Sequence, residues 1–544
     1  MSMRGRMDGD PLARIAEDDR KPRAGILERL LVAGGDARLQ LDGATGLNRY
    51  GCAPSPRPQE ISFSSSTAST ISPAAYAAAD RAFVELRSAA ARRDPQGATA
   101  QLAGSIREQL KVLCGLGGET DVILSPSGTD AELQALFLAR QWLRKPVTSI
   151  IVAADETGSG VSLAAAGRHF GASSAGGRTV VRGTAIGGLG QGASVVRIEA
   201  RDRGGHARAI AAIDADVRRA VSAALAAGNG VVLHVMDHSK LGTRAPSAAC
   251  IDDICAKTDR AVQIVVDACQ TRLTMGQCRD YLARGFMVLA TGSKFFAGPP
   301  LSGALFAPAH LRPSADGADM LAGLADYTTR EDWPADWREV RARLGEQANV
   351  GQLLRWTAAL EEMRAYLAAP ELFRKLALKE FAATAARVVE KYDFARPLPA
   401  PTWSSEDGDD EFGSPTIFAV KMVRGRPLTL AESRLVYAAL NWDLSPLPHL
   451  RGDERTLAAQ ICHVGQPVAI GDETAGEAGV IRVSASARLV SQSWSEGSDG
   501  AIERACAAIS QLDTVFAKIA LIIARVDDVR EWFGAGQAVD FTKI

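Results

Sequence analysis

No apolar run in the sequence is long enough to cross a bilayer without interruption. The longest such stretch near the C-terminus, residues 516–526, contains Lys518 and Arg525, so it favours a buried amphipathic helix over a membrane span. The first residues are charged throughout and lack the apolar segment of a secretory signal. We therefore expect a cytoplasmic protein that does not bind membranes.

Cysteine and excess charge are also scarce. The 544 residues include eight cysteines and no C-x-x-C pair, which excludes a disulfide framework and gives no zinc signature. Cys250 and Cys255 are separated by four residues with no histidine nearby. The formal net charge is −1, so nothing indicates a surface that binds polyanions, and we expect no nucleic-acid partner. No metal site is predicted.

Short apolar runs alternate with helical periodicity through the first half of the chain. The runs that we interpret as strands are residues 121–125, 149–154, 195–200, 231–236, 262–268 and 286–292. Because Val and Ile are nearly continuous in them, we predict strands buried on both faces of a mostly parallel sheet that helices cover. The predicted fold class is α/β with a smaller α+β C-terminal domain. The predicted division is an N-terminal arm at 1–60, a large domain at 61–345 and a small domain at 346–544.

A glycine-rich segment, residues 171–194, interrupts this alternation and predicts a loop or hairpin excursion. It lacks the Lys-Ser/Thr of a P-loop and the spacing of G-x-G-x-x-G, so a phosphate role is not favoured there. No G-x-G-x-x-G follows the first predicted strand either, which argues against a Rossmann-like nucleotide binder.

A first candidate motif, Ser127-Gly128-Thr129-Asp130, lies between a predicted strand and a predicted helix. Unpaired N–H groups at a helix N-terminus bind phosphate, and the hydroxyls and the glycine would assist. The alternative is an ordinary helix cap, which Glu132 would support.

Two further motifs follow later strands. Asp267 lies at the end of the apolar run at 262–268. Burying a carboxylate there costs free energy unless the carboxylate meets a cation. The alternative role for Asp267 is to cap the turn that follows. Lys294 lies between a strand and a glycine-containing loop, beside Phe295 and Phe296. Desolvation there would lower the lysine pKa and free its amine for covalent chemistry with a carbonyl.

The order Ser-Gly-Thr, strand-Asp and strand-Ser-Lys resembles the fold-type I pyridoxal 5'-phosphate (PLP) enzymes, the aminotransferase superfamily. Within it, Asp-x-x-Gln before the lysine loop is most similar to the branch of class V aminotransferases, cysteine desulfurases and kynureninases. The resemblance covers about residues 60–310 and, more faintly, 415–515. It implies that Lys294 carries PLP as a Schiff base and that Asp267 meets the pyridine nitrogen, both being catalytic. The other implied cofactor contacts are Ser127, Gly128, Thr129, Gln270 and Ser293.

Two loops are less regular than the family pattern. The segment 234–246 resembles the family strand and loop whose Asn contacts the ring oxygen, but has two extra residues, so Asp237, His238 or Ser239 are candidates for that contact. Lys240 is a rival Schiff-base lysine by composition, yet it precedes Asp267, which is the wrong order. The loop at 154–160 lacks the ring that usually stacks on the cofactor, and Glu156 or Thr157 would face it instead.

Two candidate substrate groups lie near the C-terminus. Arg482 resembles the small-domain arginine that grips the substrate carboxylate, with Arg488 in reserve; the alternative is a surface arginine on a strand. Cys462, beside a histidine, is similar to the mobile cysteine of desulfurases, although an inward strand position fits equally.

The resemblance implies a homodimer that transforms an amino acid or related amine through an external aldimine, with Lys294 then moving protons. It also implies that residues 63–72 and 343–349 reach the cofactor or the neighbouring subunit. Aminotransferase-like chemistry is favoured first, desulfurase-like or side-chain lyase chemistry second and decarboxylation third. A non-catalytic nucleotide- or PLP-binding protein remains the alternative of another class. The sequence does not identify the substrate.

Overall fold

The computed structural model describes residues 23–66, 68–313, 318–399, 410–471, 477–495 and 498–534. The helices are α1 Arg23–Leu31, α2 Pro73–Ala91, α3 Pro95–Cys114, α4 Gly128–Leu143, α5 Val161–Ala164, α6 Ile210–Ala226, α7 Ala248–Thr258, α8 Met275–Ala283, α9 Ala318–Leu324, α10 Arg338–Arg341, α11 Val350–Ala368, α12 Glu371–Lys391, α13 Leu430–Leu440, α14 Gly452–Ala459, α15 Ala487–Trp494, α16 Ala501–Ala524 and α17 Val526–Gly534. The strands are β1 Ile61–Phe63, β2 Thr120–Ser125, β3 Val147–Val152, β4 Ala193–Ile198, β5 Gly230–Met236, β6 Val262–Asp267, β7 Met287–Thr291, β8 Gly303–Pro308, β9 Ala395–Pro397, β10 Ile417–Arg424, β11 Arg426–Pro427, β12 Cys462–Ile470 and β13 Ala478–Ser484.

A seven-stranded sheet forms the centre of the fold, in the order β2-β8-β7-β6-β5-β3-β4. The pairs within β7-β6-β5-β3-β4 are all parallel, whereas β8 is antiparallel to both β2 and β7. Alternate residues of β2 enter different apolar clusters, with Val122 in one and Ile123 in the other, so there is a core on each face. The predicted α/β class with a mostly parallel, helix-covered sheet is confirmed.

The six predicted runs form β2 to β7, with two departures. β8 was not predicted, because its sequence GALFAP has little of the Val and Ile enrichment that marks the other strands. The prediction of burial on both faces is wrong for β4, which is an edge strand whose side chains are largely exposed, among them Val196. An edge strand has one neighbour and is covered less completely.

A second, smaller sheet has the order β1-β12-β13-β10-β11, with β9 also paired to β10. Its strand β1 comes from the segment before the large sheet and runs parallel to β12, with Ile61 opposite Cys462. This sheet and its helices correspond to the predicted α+β part. The boundaries near residues 60 and 345 stay predictions.

Helix α16 is long and apolar enough to cross a membrane by length and composition, but half of its apolar window is buried within the fold. Phe516 stacks on Phe394 at 6.0 Å and lies 5.7 Å from Tyr392, ring centre to ring centre. A core helix of a globular protein has this composition too. The apolar stretch at 516–526 is thus mostly a buried part of this helix, which ends at Ala524, before the next helix begins at Val526.

The topology brings several loops to one edge of the large sheet. β2 is antiparallel to β8, and β8 is antiparallel to β7, so β2 ends at the same edge as β7, β6, β5, β3 and β4. The carboxyl-terminal edge of such a sheet is where α/β proteins bind ligands. The loops that follow these strands contain most of the predicted site residues.

Candidate active site

The N-terminus of α4 is capped by its own sequence. The Ser127 hydroxyl accepts a hydrogen bond from the Asp130 N–H at 3.2 Å and donates one to the Asp130 carboxylate. Burial raises the pKa of Asp130 to about 7. The Ser127 hydroxyl therefore acts as the cap that was the alternative interpretation. Glu132 takes no part in that cap, because its Oε2 lies 3.0 Å from Nδ1 of His234.

Gly128 brings this helix end against the neighbouring strands. A Cβ atom at position 128 would lie 2.5 Å from the sulfur of Cys269 and 3.5 Å from the methyl group of Thr291, so only glycine fits. Thr129 faces the loop after β3, where a Cβ on Gly158 would lie 3.7 Å from the Thr129 hydroxyl. That hydroxyl makes no hydrogen bond to any residue that the structure describes, and it is available to a ligand.

Asp267 is buried at the end of β6, between Met236 of β5 and Leu289 of β7. Its Oδ1 accepts from the Cys269 N–H at 3.1 Å, and its Oδ2 accepts from the Thr157 hydroxyl at 3.0 Å. Two neutral donors leave lone pairs on both oxygens. Of the two residues proposed to replace the stacking ring, Thr157 thus reaches the Asp267 carboxylate.

Glu156 has a different role, which the sequence did not reveal. Its Oε1 forms a 2.7 Å ion pair with Nε of Arg201, and its Oε2 accepts from the Ser239 hydroxyl. All three side chains are buried. They join the loops that follow β3, β4 and β5. The one signal for Arg201 is that it comes directly after a predicted strand.

The candidates for the ring-oxygen contact already have protein partners. The Asp237 carboxylate accepts from the Tyr281 hydroxyl at 3.3 Å and lies 2.9 Å from Nδ1 of His238. The Ser239 hydroxyl donates to Glu156 and accepts from two backbone N–H groups of its own loop. The assignment of Asp237 or Ser239 to the cofactor stays a prediction.

Lys294 lies in the turn after β7, between the buried residues Ser293 and Phe295. Its side chain is partly exposed, and its Nζ forms neither a hydrogen bond nor an ion pair within the described part of the chain. The turn packs closely on α11, since a Cβ on Gly292 would lie 2.5 Å from the Cβ of Ala359. Lys294 therefore presents a free amine at the same edge as Asp267.

Gln270 is held by Arg272, a fully buried residue that the sequence analysis missed. Arg272 also lies over the ring of Phe295, at 5.2 Å. Burial and the charge of Arg482 lower its pKa to about 9. All its hydrogen bonds go to neutral acceptors: Thr416 Oγ1 at 2.6 Å, Gln270 O at 3.1 Å, Gln270 Oε1 at 3.3 Å, Ser65 Oγ at 2.6 Å and Ala485 O at 3.0 Å. The contact with Ser65 brings part of the predicted segment 63–72 to the candidate site.

Arg482 lies on β13 and is 5% exposed. Its Nε and Nη2 donate to the Gln466 carbonyl at 3.3 and 3.1 Å, whereas Nη1 makes no hydrogen bond to the described residues. Burial lowers its pKa to about 10, so it stays charged at neutral pH. The reserve candidate, Arg488, is already bound to Glu362 at 2.7 Å. Arg482 is therefore the better carboxylate receptor of the two.

Lys240 is the third cation at this edge, and it too forms no ion pair with a described acidic residue. Its pKa falls to about 7 through burial and the nearby charges of Arg482 and Lys294, against the opposing effect of Asp267 and Glu156. Its Nζ forms neither a hydrogen bond nor an ion pair with the residues described. We call Lys240, Lys294 and Arg482 the cation cluster.

Cys462 is fully buried as the first residue of β12. Its sulfur lies 3.9 Å from the Gln460 carbonyl, and burial raises the pKa of the thiol to about 11. The inward strand position of the two sequence interpretations is therefore the one observed. A thiol with this pKa is protonated at neutral pH and is a poor nucleophile.

No protein-family model matches the chain, and no curated protein matches its sequence. Solved structures do match it. Oryza sativa TDC with PLP has a TM-score of 0.47 and 12% identity over 87% of this chain and 85% of that one. Mouse CSAD has a TM-score of 0.46 and 16% identity, with 85% of each chain covered. A Cytophaga hutchinsonii phosphoserine aminotransferase, SerC, has a TM-score of 0.46 and 15% identity, over 81% of this chain and 99% of that one. Identities of this size do not identify a substrate or a reaction.

Proposed function

We propose that this chain is a PLP-dependent enzyme of fold type I that acts on an amino acid or related amine, with Lys294 as the residue that holds the cofactor. The observation that carries the proposal is the convergence at one sheet edge of a free lysine amine, a buried carboxylate and a helix N-terminus. These groups come from three separate stretches of sequence. A structural role alone explains the Ser127 cap and the turn that Asp267 caps through the Cys269 N–H, but it does not explain an unpaired Lys294 amine at the same sheet edge as a buried carboxylate.

The residues at this edge fit the cofactor. The N–H groups of Gly128 and Thr129, with the Thr129 hydroxyl, suit a phosphate, and Gly128 leaves the space that a side chain would fill. Asp267 has lone pairs for the ring nitrogen, and a carboxylate there keeps that nitrogen protonated. When bound, PLP supplies an electron sink for the bonds at the substrate Cα.

Proton transfer and substrate orientation are the work of side chains of this protein. Lys294 would remove and return the proton at the substrate Cα as general base and acid. Arg482 orients the substrate by pairing with its α-carboxylate through the free Nη1 and the remaining donor of Nη2. Buried Thr157 and Gln270 enclose the site beside Asp267 and Arg272.

Transamination is the reaction we favour, with a lyase reaction as the alternative. The class V branch is the family relationship we favour. The position of Cys462 argues against the desulfurase form of that alternative. A desulfurase needs a mobile thiolate, whereas Cys462 is a buried thiol in a strand with its pKa raised to about 11. We also propose that the protein forms a homodimer.

The decisive experiment is chemical labelling of the lysine. Purified protein incubated with PLP should be yellow, and borohydride reduction should fix the cofactor to the peptide that contains Lys294. Lys294→Ala should lose the label, while Lys240→Met, a matched change of a neighbouring lysine, should keep it. A label that maps to Lys240 or to another lysine would remove the basis of the proposal.

A further inference from the structure

Lys240 has no role in the proposed reaction. It lies in the loop after β5, while Asp267 ends β6 and Lys294 follows β7. Because β5, β6 and β7 are neighbours in that order, the two lysines flank the Asp267 carboxylate. The charges of Lys294 and Arg482 both lower the pKa of Lys240, so each of these two cations lies near Lys240.

The loop holds the backbone of Lys240 in place from both sides. The Lys240 N–H donates to the Glu156 carbonyl at 3.2 Å. The hydroxyl of Ser239 accepts from the N–H groups of Leu241 and Thr243 at 3.0 and 2.9 Å. Glu156 is itself fixed by its ion pair with Arg201. A lysine that only reaches into solvent needs no such support, whereas a ligand-binding lysine gains from being positioned in advance.

The acidic groups that face Lys240 are already occupied. Glu156 is bound by Arg201 and Ser239, and Asp267 accepts from Thr157 and Cys269 while facing the proposed ring nitrogen. A largely desolvated cation without an anion costs free energy, and it is stabilised when an anion binds. If Lys294 holds the cofactor and Arg482 binds the α-carboxylate, Lys240 is left as a cation for one more acidic group.

We propose that Lys240 binds a second acidic group, carried on the side chain of the substrate, so that the enzyme takes amino acids with two acidic groups. This inference rests on the proposed function, since it presumes that the substrate occupies the cation cluster. The shared chemistry is an anionic side chain, either a carboxylate or a phosphate. Arg482 and Lys240 then bind the two ends of the substrate and fix its direction in the site.

The pH dependence of binding follows from the charges around Lys240. Burial, Arg482 and Lys294 lower its pKa to about 7, and Asp267 and Glu156 oppose the decrease. An anion binds the protonated amine. The affinity for an acidic side chain should therefore be highest below pH 7 and decrease as the pH rises above it.

The test compares acidic amino acids with their neutral counterparts on the PLP-loaded protein. The pairs are L-glutamate with L-glutamine, L-aspartate with L-asparagine, and O-phospho-L-serine with L-serine, the last pair separating phosphate from carboxylate. Binding is followed by the change in cofactor absorption. Calorimetry with glutarate and with butyrate measures anion binding without any reaction.

Wild type should bind at least one acidic member roughly 10- to 100-fold more tightly than its neutral counterpart, as expected for a charge-assisted contact. Lys240→Met should lose this preference while its affinity for the neutral member changes less than about twofold, and Lys240→Arg should restore much of it. Glutarate binding should weaken in Lys240→Met and in wild type at pH 8.5, whereas butyrate binding should not depend on Lys240.

Equal binding of the acidic and neutral members by wild type would overturn the inference, and so would a loss of PLP affinity in Lys240→Met, which would assign Lys240 to the cofactor. Failure of the proposed function looks different: wild type would show no cofactor absorption and no label on Lys294. In that event the glutarate measurement on the protein without PLP still decides whether Lys240 binds an anion.

Discussion

At the scale of single residues, burial decides which groups are free to act. Asp267 accepts two hydrogen bonds from neutral donors and forms no ion pair within the described part of the chain, whereas Glu156, two strands away in the sheet, is neutralised by Arg201. A buried carboxylate without a cationic partner is costly unless a ligand supplies one. The same distinction separates Arg482 from Arg488, which Glu362 already binds.

Asp267→Asn should retain PLP but lower the turnover number by roughly 100- to 1,000-fold, because the neutral amide no longer holds a proton on the ring nitrogen. Asparagine has nearly the same shape, and its side-chain oxygen can still accept from the Cys269 N–H. The measurements are cofactor absorption, thermal unfolding and steady-state kinetics. Wild-type turnover in a variant that keeps its cofactor would contradict the electrostatic role of Asp267.

At the scale of elements, the N-terminus of α4 places a helix cap directly beside the residue proposed to bind phosphate. The Ser127 hydroxyl is bound within the helix cap, whereas the Thr129 hydroxyl has no partner among the described residues. Gly128 fits the helix end against the chain after β6 and the end of β7. The same four residues thus form the cap and leave the Thr129 hydroxyl for the proposed phosphate contact, through different atoms.

Substitution separates these two roles. Ser127→Ala should lower the free energy of unfolding by about 1 kcal/mol, the usual effect of losing a cap, and change PLP affinity little. Thr129→Ala should weaken PLP binding with little change in stability, and Thr129→Ser should restore it. Fluorescence titration with PLP and chemical denaturation of the cofactor-free protein provide the two readouts. A loss of PLP affinity in Ser127→Ala as large as in Thr129→Ala would show that the cap hydroxyl also binds the phosphate.

At the scale of the whole molecule, Arg272 connects the two sheets. It follows β6 of the large sheet and binds Gln270 there. Its other contacts, Ser65, Thr416 and Ala485, lie next to the ends of β1, β10 and β13 of the smaller sheet. Arg482, the proposed carboxylate receptor, is on one of these strands, so Arg272 helps to hold that strand against the large sheet.

Arg272→Met should lower the free energy of unfolding by roughly 3 kcal/mol, because several buried acceptors lose their donor. Lysine should restore only part of this stability, since it lacks the planar fork of arginine. Arg434→Met, at an exposed arginine of α13, is the matched control and should stay within about 0.5 kcal/mol of wild type. Chemical denaturation checks both. A stable Arg272→Met protein would mean that other contacts join the two sheets.

The order of the motifs and most of the large sheet could be predicted from the sequence because both depend on local pattern. Runs of Val and Ile mark β2, β3 and β5 to β7 wherever they occur; Asp267 stands at the end of such a run, and Ser127 and Lys294 stand just beyond one. Strand β8 lacked that signal, and an edge position left β4 exposed although its sequence resembles that of a central strand.

What the sequence determined by itself was which residues follow each strand, and through their order the candidate residues for a cofactor. What only the tertiary structure decided was which of these polar groups neutralise one another. Glu156 meets Arg201 from a different loop, and Arg488 meets Glu362 across more than a hundred residues, whereas Lys240, Lys294 and Arg482 form no ion pair with the residues that the structure describes. Pairing of charges depends on distances of a few ångströms between residues far apart in the chain, and such distances exist only after the sheets have packed.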